Sequence, residues 1–303
     1  MKLALSDRAR LNSAQILDLT ELGYEIEMFT DFPYRNFDVY LGYSEPLMVK
    51  ERYAGASLIH LLSAGYDKLN LEHISKQGIL LTNSKGVYDA PIAEYALYCV
   101  LDYCKKGSLF RRQQEKHIWK RDFPNFEIQS LKIGILGTGS IGSACAQRFK
   151  GLGAEVIGVN RSGREAAYFD SVYSIQQLDK FLPEADMIIN TLPLNDDTRH
   201  ILNYGRLSCI RENSVLICVG RGKTLAEEDL KRVLETKNLE VYLDVFEKEP
   251  LEKDHWMYDC EKIHLTPHIS FASGAAYQRM SNLAYENARR FIKKEPLMNI
   301  VKM

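Results

Sequence analysis

A glycine-rich turn between a predicted strand and a predicted helix is the pattern in this chain that points most directly to chemistry. Residues 137–142 read Gly-Thr-Gly-Ser-Ile-Gly, directly after the apolar run 132–136, and a second apolar run follows at 154–159. In such a unit the first glycine permits the tight turn, the second lets the backbone approach a pyrophosphate, and the third allows close helix packing. The helix N-terminus adds unpaired N–H groups and a positive dipole. The pattern predicts a dinucleotide site, with a strand-to-helix turn that binds nothing as the alternative; its residues are Gly137, Thr138, Gly139, Ser140, Ile141 and Gly142.

The end of the second predicted strand indicates which dinucleotide binds. An NAD site places an acidic residue there, about 20 residues after the turn, to bind the ribose hydroxyls. This chain has Asn160 instead, followed by Arg161 and Ser162. No carboxylate at this position would repel a 2′-phosphate, and Arg161 can supply charge-assisted hydrogen bonds to it. The sequence therefore favours NADP, and NAD stays possible if these three residues only form a solvated turn.

Short apolar runs alternate with stretches of helical periodicity, which is typical of a parallel α/β architecture. Pro91 opens a long predicted helix, because proline is favoured in the first turn of a helix. The predicted strands are residues 38–42, 57–62, 79–82, 132–136, 154–159, 187–190, 215–218 and 241–244, and further helices are predicted at 11–22 and 69–76. The helix predicted at 69–76 connects the strands predicted at 57–62 and 79–82, as a crossover helix in a parallel sheet does.

Composition excludes several classes of protein. The 303 residues carry 39 basic and 40 acidic side chains, so the net charge of −1 speaks against a nucleic-acid binder. Charges interrupt the first eight residues too early for a signal peptide, and no apolar run approaches the roughly 20 residues that span a membrane. The six cysteines form no CxxC pair and no metal-ligand spacing. We therefore expect a cytoplasmic protein with free thiols, no metal site and no membrane partner.

Several further motifs occur in an order that resembles the D-isomer-specific 2-hydroxyacid dehydrogenase family. In chain order they are Ser63-Ala64-Gly65-Tyr66-Asp67, Gly86-Val87 with Ala93-Glu94, Thr191-Leu192-Pro193-Leu194 with Thr198, Val219-Gly220-Arg221-Gly222, Leu243-Asp244-Val245-Phe246 with Glu249-Pro250, and Leu265-Thr266-Pro267-His268. The likeness covers nearly the whole chain. The family includes glyoxylate and hydroxypyruvate reductases and phosphoglycerate dehydrogenases. The resemblance thus implies hydride transfer between NADP(H) and a small 2-oxo acid or D-2-hydroxy acid.

The resemblance also implies three catalytic residues, and their chemistry suits the reaction. Arg221 has the planar fork that can hold a carboxylate bidentately and stabilise oxyanion charge. His268 would donate a proton to the carbonyl oxygen and accept one in the reverse direction. Glu249 would accept a hydrogen bond from the imidazole and favour its protonated form, although Glu247, two residues earlier, is an alternative for this role.

The same resemblance assigns the remaining binding residues. The loop 63–65 would bind substrate together with Arg221 and His268, since its main-chain N–H groups resemble those that receive the substrate carboxylate. Asp244 either contacts the nicotinamide amide or only pairs with a backbone N–H. The substrate-loop residues are Ser63, Ala64 and Gly65, and the other residues expected near the cofactor are Leu192, Pro193, Thr198, Val219, Gly220 and Asp244.

The resemblance implies two doubly wound parallel-sheet domains, a Rossmann-type cofactor domain inserted in a flavodoxin-like substrate domain. We expect residues 1–97 and 272–303 to form the substrate-binding domain and residues 98–271 to form the dinucleotide-binding domain. The basic stretch 105–122 is either a solvated helix face or an arm that packs on a second subunit, and the family's homodimer is expected. Two alternatives to a 2-oxo acid reductase remain: a dinucleotide-sensing protein of the same fold that acts through partners, and a dehydrogenase for an inorganic or one-carbon acid.

Overall fold

Strands and helices alternate along the chain, as the sequence predicts. The computed structural model describes residues 1–30, 37–44, 47, 53, 55–121 and 123–303. The strands are β1 (Lys2–Ser6), β2 (Glu25–Phe29), β3 (Val39–Gly42), β4 (Leu58–Leu61), β5 (Leu80–Asn83), β6 (Lys132–Leu136), β7 (Glu155–Asn160), β8 (Ser171–Ser174), β9 (Met187–Asn190), β10 (Ser214–Cys218), β11 (Leu239–Leu243) and β12 (Ile263–Leu265). The helices are α1 (Ser13–Glu21), α2 (Leu71–Lys76), α3 (Asp89–Lys105), α4 (Gly107–Glu115), α5 (Ser140–Gly151), α6 (Leu178–Phe181), α7 (Tyr204–Cys209), α8 (Glu227–Thr236) and α9 (Gly274–Ile292).

The described chain divides into two compact units. The first unit is Met1–Tyr88 with Ala272–Met303, and the second is Asp89–Phe271. The first division therefore lies at the start of α3, whereas the sequence-based boundary between residues 97 and 98 falls inside that helix. The whole of α3 belongs to the second unit because it packs along α5.

The first unit is built on a parallel sheet with the strand order β2-β1-β3-β4-β5. This is the flavodoxin-like order that the resemblance implies. The strands β3 and β4 are buried along their whole length, as expected where helices cover both faces of a parallel sheet. The core between sheet and helices contains Tyr40, Ile59 and Leu61, each fully buried or nearly so.

Helix α9 returns the end of the chain to the first unit. The Ser273 hydroxyl accepts a hydrogen bond from the Ala276 N–H and so caps the helix. Small or flexible side chains at four-residue spacing form its buried face, which places them on one side of the helix; they are Ala276, Met280, Ala284 and Ala288. The Tyr24 hydroxyl donates to the Ala288 carbonyl oxygen at 2.9 Å, which ties α9 to the N-terminal half of the unit.

The second unit contains a parallel sheet with the order β12-β11-β10-β9-β6-β7-β8. The order reverses between β6 and β9, which is the arrangement of a Rossmann-type dinucleotide-binding fold. Apolar side chains of β9, β10 and β11 are buried against α6, α7 and α8 in one core. The carboxyl ends of these parallel strands carry the turns that contain most of the predicted site residues.

The basic stretch 105–122 contains α4, and residues 116–121 lie outside the helices and strands. Trp119 has 94% of its surface exposed, and Phe110 and Ile118 are also exposed. Asp122, the last residue of the predicted stretch, lies outside the described residues. Within the described ranges, no helix combines the length and apolar character that crossing a bilayer requires.

Candidate active site

The glycine-rich turn has the geometry that a phosphate-binding turn needs. Gly137 has φ +97°, a conformation that residues with a side chain rarely adopt. A Cβ at Gly142 would lie 1.9 Å from the Gly137 carbonyl oxygen, so only glycine permits this approach of α5. A Cβ at Gly139 would meet no atom within 4 Å, and no side chain in the described part of the chain caps α5. The N-terminus of α5 is thus open to an anion.

Asn160 lies at the end of β7, and its side chain shapes the loop that follows. Its Nδ2 donates to Thr138 Oγ1 at 3.1 Å and to the Arg164 carbonyl oxygen at 2.8 Å. Its Oδ1 accepts hydrogen bonds from the N–H groups of Ser162 and Gly163. Asn160 therefore connects the glycine-rich turn to the adjacent loop, a role that the sequence did not indicate.

The loop after Asn160 presents two arginines. Arg161, Ser162 and Arg164 are all exposed, and Arg164 Nε donates to Ser162 Oγ at 3.1 Å. Both guanidinium groups and the hydroxyl thus belong to one short loop whose shape Asn160 determines. Guanidinium groups bind phosphate oxygens strongly, so this loop is suited to an additional phosphate group.

The turns after β9 and β10 approach each other closely. A Cβ at Gly220 would lie 2.5 Å from the Leu192 carbonyl oxygen, which explains the glycine at this position. The Thr198 hydroxyl donates to the Pro193 carbonyl oxygen at 2.6 Å and so closes the turn after β9. Val219 N–H donates to the Asn190 carbonyl oxygen. The structure therefore brings together the predicted cofactor-binding residues of these two turns.

Arg221 begins a turn that is fixed on two sides. The Thr224 hydroxyl donates to its carbonyl oxygen at 2.6 Å, and Arg221 Nη1 donates to the Gly220 carbonyl oxygen at 2.9 Å. A Cβ at Gly222 would lie 2.0 Å from the Phe246 carbonyl group. Backbone contact at Gly222 thus joins the Arg221 turn to the loop that carries Glu249.

Glu249 and His268 form the pair that the resemblance implies. Glu249 Oε2 lies 2.8 Å from His268 Nδ1, and Glu249 Oε1 accepts the Phe246 N–H at 3.1 Å. Burial raises the pKa of Glu249, but the hydrogen bonds from His268 and Phe246 and the charges of His268 and Arg221 outweigh it, so the pKa lies below its ordinary value. Glu249, and not Glu247, is the carboxylate beside the imidazole.

His268 sits on a loop that Asp244 holds in place. His268 has φ +50°, which few residues other than glycine adopt. The Asp244 carboxylate is fully buried and accepts hydrogen bonds from the Thr266 hydroxyl and from the N–H groups of Ile269 and Ser270, at 2.6 to 2.9 Å. Tyr95 contacts Thr266 Oγ1 through its hydroxyl at 2.7 Å. These contacts favour the second of the two roles predicted for Asp244, pairing with backbone N–H groups.

The predicted substrate loop belongs to the first unit and follows β4. The Ser63 hydroxyl donates to the Gly65 carbonyl oxygen at 2.8 Å, and Asn83 Nδ2 donates to the Ala64 carbonyl oxygen at 2.7 Å. The Tyr88 hydroxyl donates to the Leu62 carbonyl oxygen. Side chains thus occupy carbonyl groups of the loop, whereas the predicted ligand contacts would come from its N–H groups.

Known proteins resemble this chain along most of its length. The family model for the NAD-binding domain of D-isomer specific 2-hydroxyacid dehydrogenases matches residues 97–270. A glyoxylate reductase from Pyrococcus horikoshii is 29% identical over 261 residues, and the match covers 81% of this chain and 77% of the relative. The glyoxylate/hydroxypyruvate reductase B of Enterobacter agglomerans is 30% identical over 234 residues, 75% of this chain and 72% of the relative.

A solved structure supports the same relationship. The D-isomer specific 2-hydroxyacid dehydrogenase family protein from Aeromonas salmonicida is 29% identical and superposes with a TM-score of 0.83 over 99% of this chain and 98% of the other. The family match covers more than half of the chain and includes the glycine-rich turn, Arg221, Glu249 and His268. The chain therefore belongs to the D-isomer specific 2-hydroxyacid dehydrogenase family and is an oxidoreductase with a nicotinamide dinucleotide cofactor and a small 2-hydroxy or 2-oxo acid as substrate.

Proposed function

We propose that this dehydrogenase reduces a small 2-oxo acid of the glyoxylate or hydroxypyruvate type, with NADPH as the cofactor and His268 as the proton donor. The observation that carries the proposal is the Glu249–His268 pair at 2.8 Å, with the charge of Arg221 acting on the same carboxylate. The relatives named glyoxylate reductase and glyoxylate/hydroxypyruvate reductase suggest the substrate class.

The residues of the second unit fit a dinucleotide. The open, uncapped N-terminus of α5 can receive a pyrophosphate, and Gly139 leaves space in front of it. The exposed Arg161 and Arg164 follow the end of β7, where an NAD site would have a carboxylate. When bound, the reduced nicotinamide supplies the hydride. Arg161, Ser162 and Arg164 are proposed to bind the 2′-phosphate.

The protein's own groups then have defined tasks. Glu249 occupies His268 Nδ1, which leaves Nε2 to face the carbonyl oxygen and give its proton as carbon accepts the hydride. The product is the 2-hydroxy acid, and the reverse reaction returns the proton to Nε2. Arg221 is proposed to hold the substrate carboxylate and to stabilise charge on the carbonyl oxygen. The N–H groups of Ser63, Ala64 and Gly65 are proposed as further carboxylate ligands.

The test is a steady-state panel of glyoxylate, hydroxypyruvate and pyruvate, each with NADPH and with NADH. We expect the highest kcat/KM with NADPH and with glyoxylate or hydroxypyruvate. Arg161→Ala and Arg164→Ala should raise the KM for NADPH and leave the KM for NADH nearly unchanged, because only the former carries the 2′-phosphate. A wild-type preference for NADH, or equal effects of the variants on both cofactors, would refute the assignment of this loop.

We also propose that the protein is a cytoplasmic homodimer. Free thiols such as Cys99, Cys104 and Cys145, all buried, suit a reducing compartment. Exposed Trp119, with Phe110 and Ile118 close to it in sequence, offers apolar surface to a second copy. Light scattering after gel filtration should give twice the chain mass for the wild type and less for Trp119→Glu. A wild-type monomer would contradict the proposal.

A further inference from the structure

The second unit contains two glutamates, Glu227 and Glu247, that bind each other's backbone. The Glu227 N–H donates to Glu247 Oε1 at 3.0 Å, and the Glu247 N–H donates to Glu227 Oε1 at 2.7 Å. Glu227 is the first residue of α8, and Glu247 lies 20 residues later in the loop after β11. We call these two reciprocal hydrogen bonds the Glu227–Glu247 clasp.

The clasp compensates for a missing cap. The residue before α8 is Ala226, which has no side-chain oxygen and makes no capping hydrogen bond. The first N–H groups of a helix need a partner from elsewhere, and a carboxylate is the preferred one because of the helix dipole. Glu247 supplies this carboxylate from another segment, so the start of α8 fixes the position of the loop 246–249.

Two histidines surround the clasp. His200 Nε2 lies 3.2 Å from Glu247 Oε1, and His255 Nε2 lies 3.8 Å from Glu227 Oε2. The Glu227 side chain is only 12% exposed. Burial raises the pKa of Glu227, with the Glu247 N–H acting in the opposite direction. The buried carboxylate therefore depends on the hydrogen bond that it accepts from the loop.

The same loop carries the carboxylate that faces His268. Phe246 lies against Gly222 at one end of the loop, the clasp holds Glu247 in its middle, and the Phe246 N–H holds Glu249 at the other end. Only Lys248 separates Glu247 of the clasp from Glu249 in the sequence. Glu249 Oε2 lies 2.8 Å from His268 Nδ1. If the hydrogen bonds at Glu247 are lost, the loop can move and rotate the Glu249 carboxylate away from this nitrogen.

We propose that Glu247 is a positioning residue for proton transfer: by capping α8 through the clasp, it aims Glu249 at His268. This inference rests on the proposed function of Glu249 and His268. It assigns Glu247 and Glu227 no contact with substrate or cofactor. Their effect passes entirely through the geometry of the loop.

The test compares Glu247→Ala with Glu247→Gln, and Lys248→Ala serves as the matched control. Gln keeps the oxygen that accepts the Glu227 N–H, whereas Ala removes it; Lys248 is on the same loop but is exposed and pairs only with Glu252 among the described residues. We expect Glu247→Ala to lower kcat for glyoxylate or hydroxypyruvate by about 10-fold or more, because a misplacement of about 1 Å can cost on the order of 100-fold. It should also move the loss of reductive activity to lower pH, with little change in NADPH affinity measured by fluorescence.

Glu247→Gln should restore most of the turnover and the wild-type pH profile, and Lys248→Ala should behave as the wild type. Glu227→Ala, which breaks the other half of the clasp, provides a second variant if Glu247→Ala does not fold. The proposal is wrong if the Ala variants keep the wild-type kcat and pH profile, if Glu247→Gln does not restore turnover, or if cofactor affinity falls as much as turnover.

His268→Ala and Glu249→Gln are measured in parallel. Normal turnover in His268→Ala would refute the proposed function, whereas defects in those two with a normal Glu247→Ala would refute only the role of the clasp.

Discussion

His60 makes the stability of the first unit sensitive to acid. It lies on β4 and is fully buried, with Nδ1 at 2.9 Å from Thr82 Oγ1 and 3.2 Å from Asn287 Nδ2. Among the described residues its Nε2 has no hydrogen-bond partner. A neutral ring with its proton on Nε2 lets Nδ1 accept from Asn287. A protonated ring would place a charge in this apolar interior. Its Nδ1 would also carry a hydrogen and could no longer accept the hydrogen bond from Asn287 Nδ2.

The cost of protonation follows from the pKa of His60. Burial lowers this pKa from 6.5 to about 3. In the unfolded chain His60 binds a proton as the pH falls below 6.5, whereas in the folded unit it does so only near pH 3. The contribution of neutral His60 to the unfolding free energy is therefore fully present above pH 6.5 and is lost as the pH falls toward 3. With about 1.36 kcal/mol per pKa unit, His60 alone should lower the unfolding free energy by about 2 kcal/mol at pH 5 and about 3 kcal/mol at pH 4.

Amide hydrogen exchange measured by mass spectrometry can test this for each unit separately. Peptides from β4 and β5 report the first unit. Trp119 and Trp256, the two tryptophans of the chain, both lie in the second unit, so their fluorescence follows that unit as an internal control. His60→Asn is the matched variant, because its amide can replace Nδ1 and does not titrate.

Between pH 7 and pH 5, the opening free energy of β4 should fall by about 2 kcal/mol more in the wild type than in His60→Asn. The variant is expected to be less stable at neutral pH, since Asn leaves part of the ring's volume empty. The difference in pH dependence between the two proteins reports the titration of His60. Equal pH dependence in the two proteins would show that His60 is not the buried group responsible.

Three further predictions concern the reaction. His268→Ala should reduce turnover by roughly 10²–10⁴-fold while fluorescence titration shows nearly unchanged NADPH binding, and near-normal turnover would remove His268 as the proton donor. Glu249→Gln should shift the loss of reductive activity to lower pH, because reduction needs the protonated imidazole and the variant lacks the charge that favours it; an unchanged pH profile would break the proposed pairing. Arg221→Lys should weaken 2-oxo acid reduction more than cofactor binding, since the bidentate fork is lost, and equal losses would give Arg221 a different role.

Local patterns were sufficient to predict the centre of the second unit. The unit β6–α5–β7 has a continuous apolar strand, three glycines with distinct steric tasks and a helix directly after them, all within about 30 residues. The predicted strands at 187–190, 215–218 and 241–244 also coincide with β9, β10 and most of β11. Strands that are buried on both faces of a sheet have continuous hydrophobic runs, and such runs can be recognised in the sequence.

Several strands had no clear signal. The strands β8 and β12 are short edge strands, and β2 alternates glutamates with apolar residues and is mostly exposed. The strand β1 lies inside the sheet between β2 and β3. Its five residues begin with a lysine and end with a serine, so its apolar run is too short to indicate a buried strand. Their pairing depends on neighbours that are distant in sequence.

The hydrogen-bond partners of the polar residues could not be predicted from the sequence. The sequence could place Asn160 and Asp244 at strand ends but could not show that loop N–H groups already occupy their oxygens. The sequence indicates Glu247 only as an alternative to Glu249. Its actual partner, Glu227, is identified only when the fold brings the start of α8 to the loop after β11. The type of a residue shows which hydrogen bonds its side chain can make. Tertiary contacts determine which of its donors and acceptors are still available to a ligand.

The division of the first unit into two chain segments affects how the protein emerges from the ribosome. All five strands of its sheet are synthesised before the second unit, but Asn287, the partner of His60, follows His60 by 227 residues. At about 5–20 residues per second, the interval lasts roughly 10–45 s. During that time the surface that α9 will cover stays open to water and to chaperones, while the continuous second unit can already fold. We therefore expect the nascent first unit to be the part of the chain that chaperones protect.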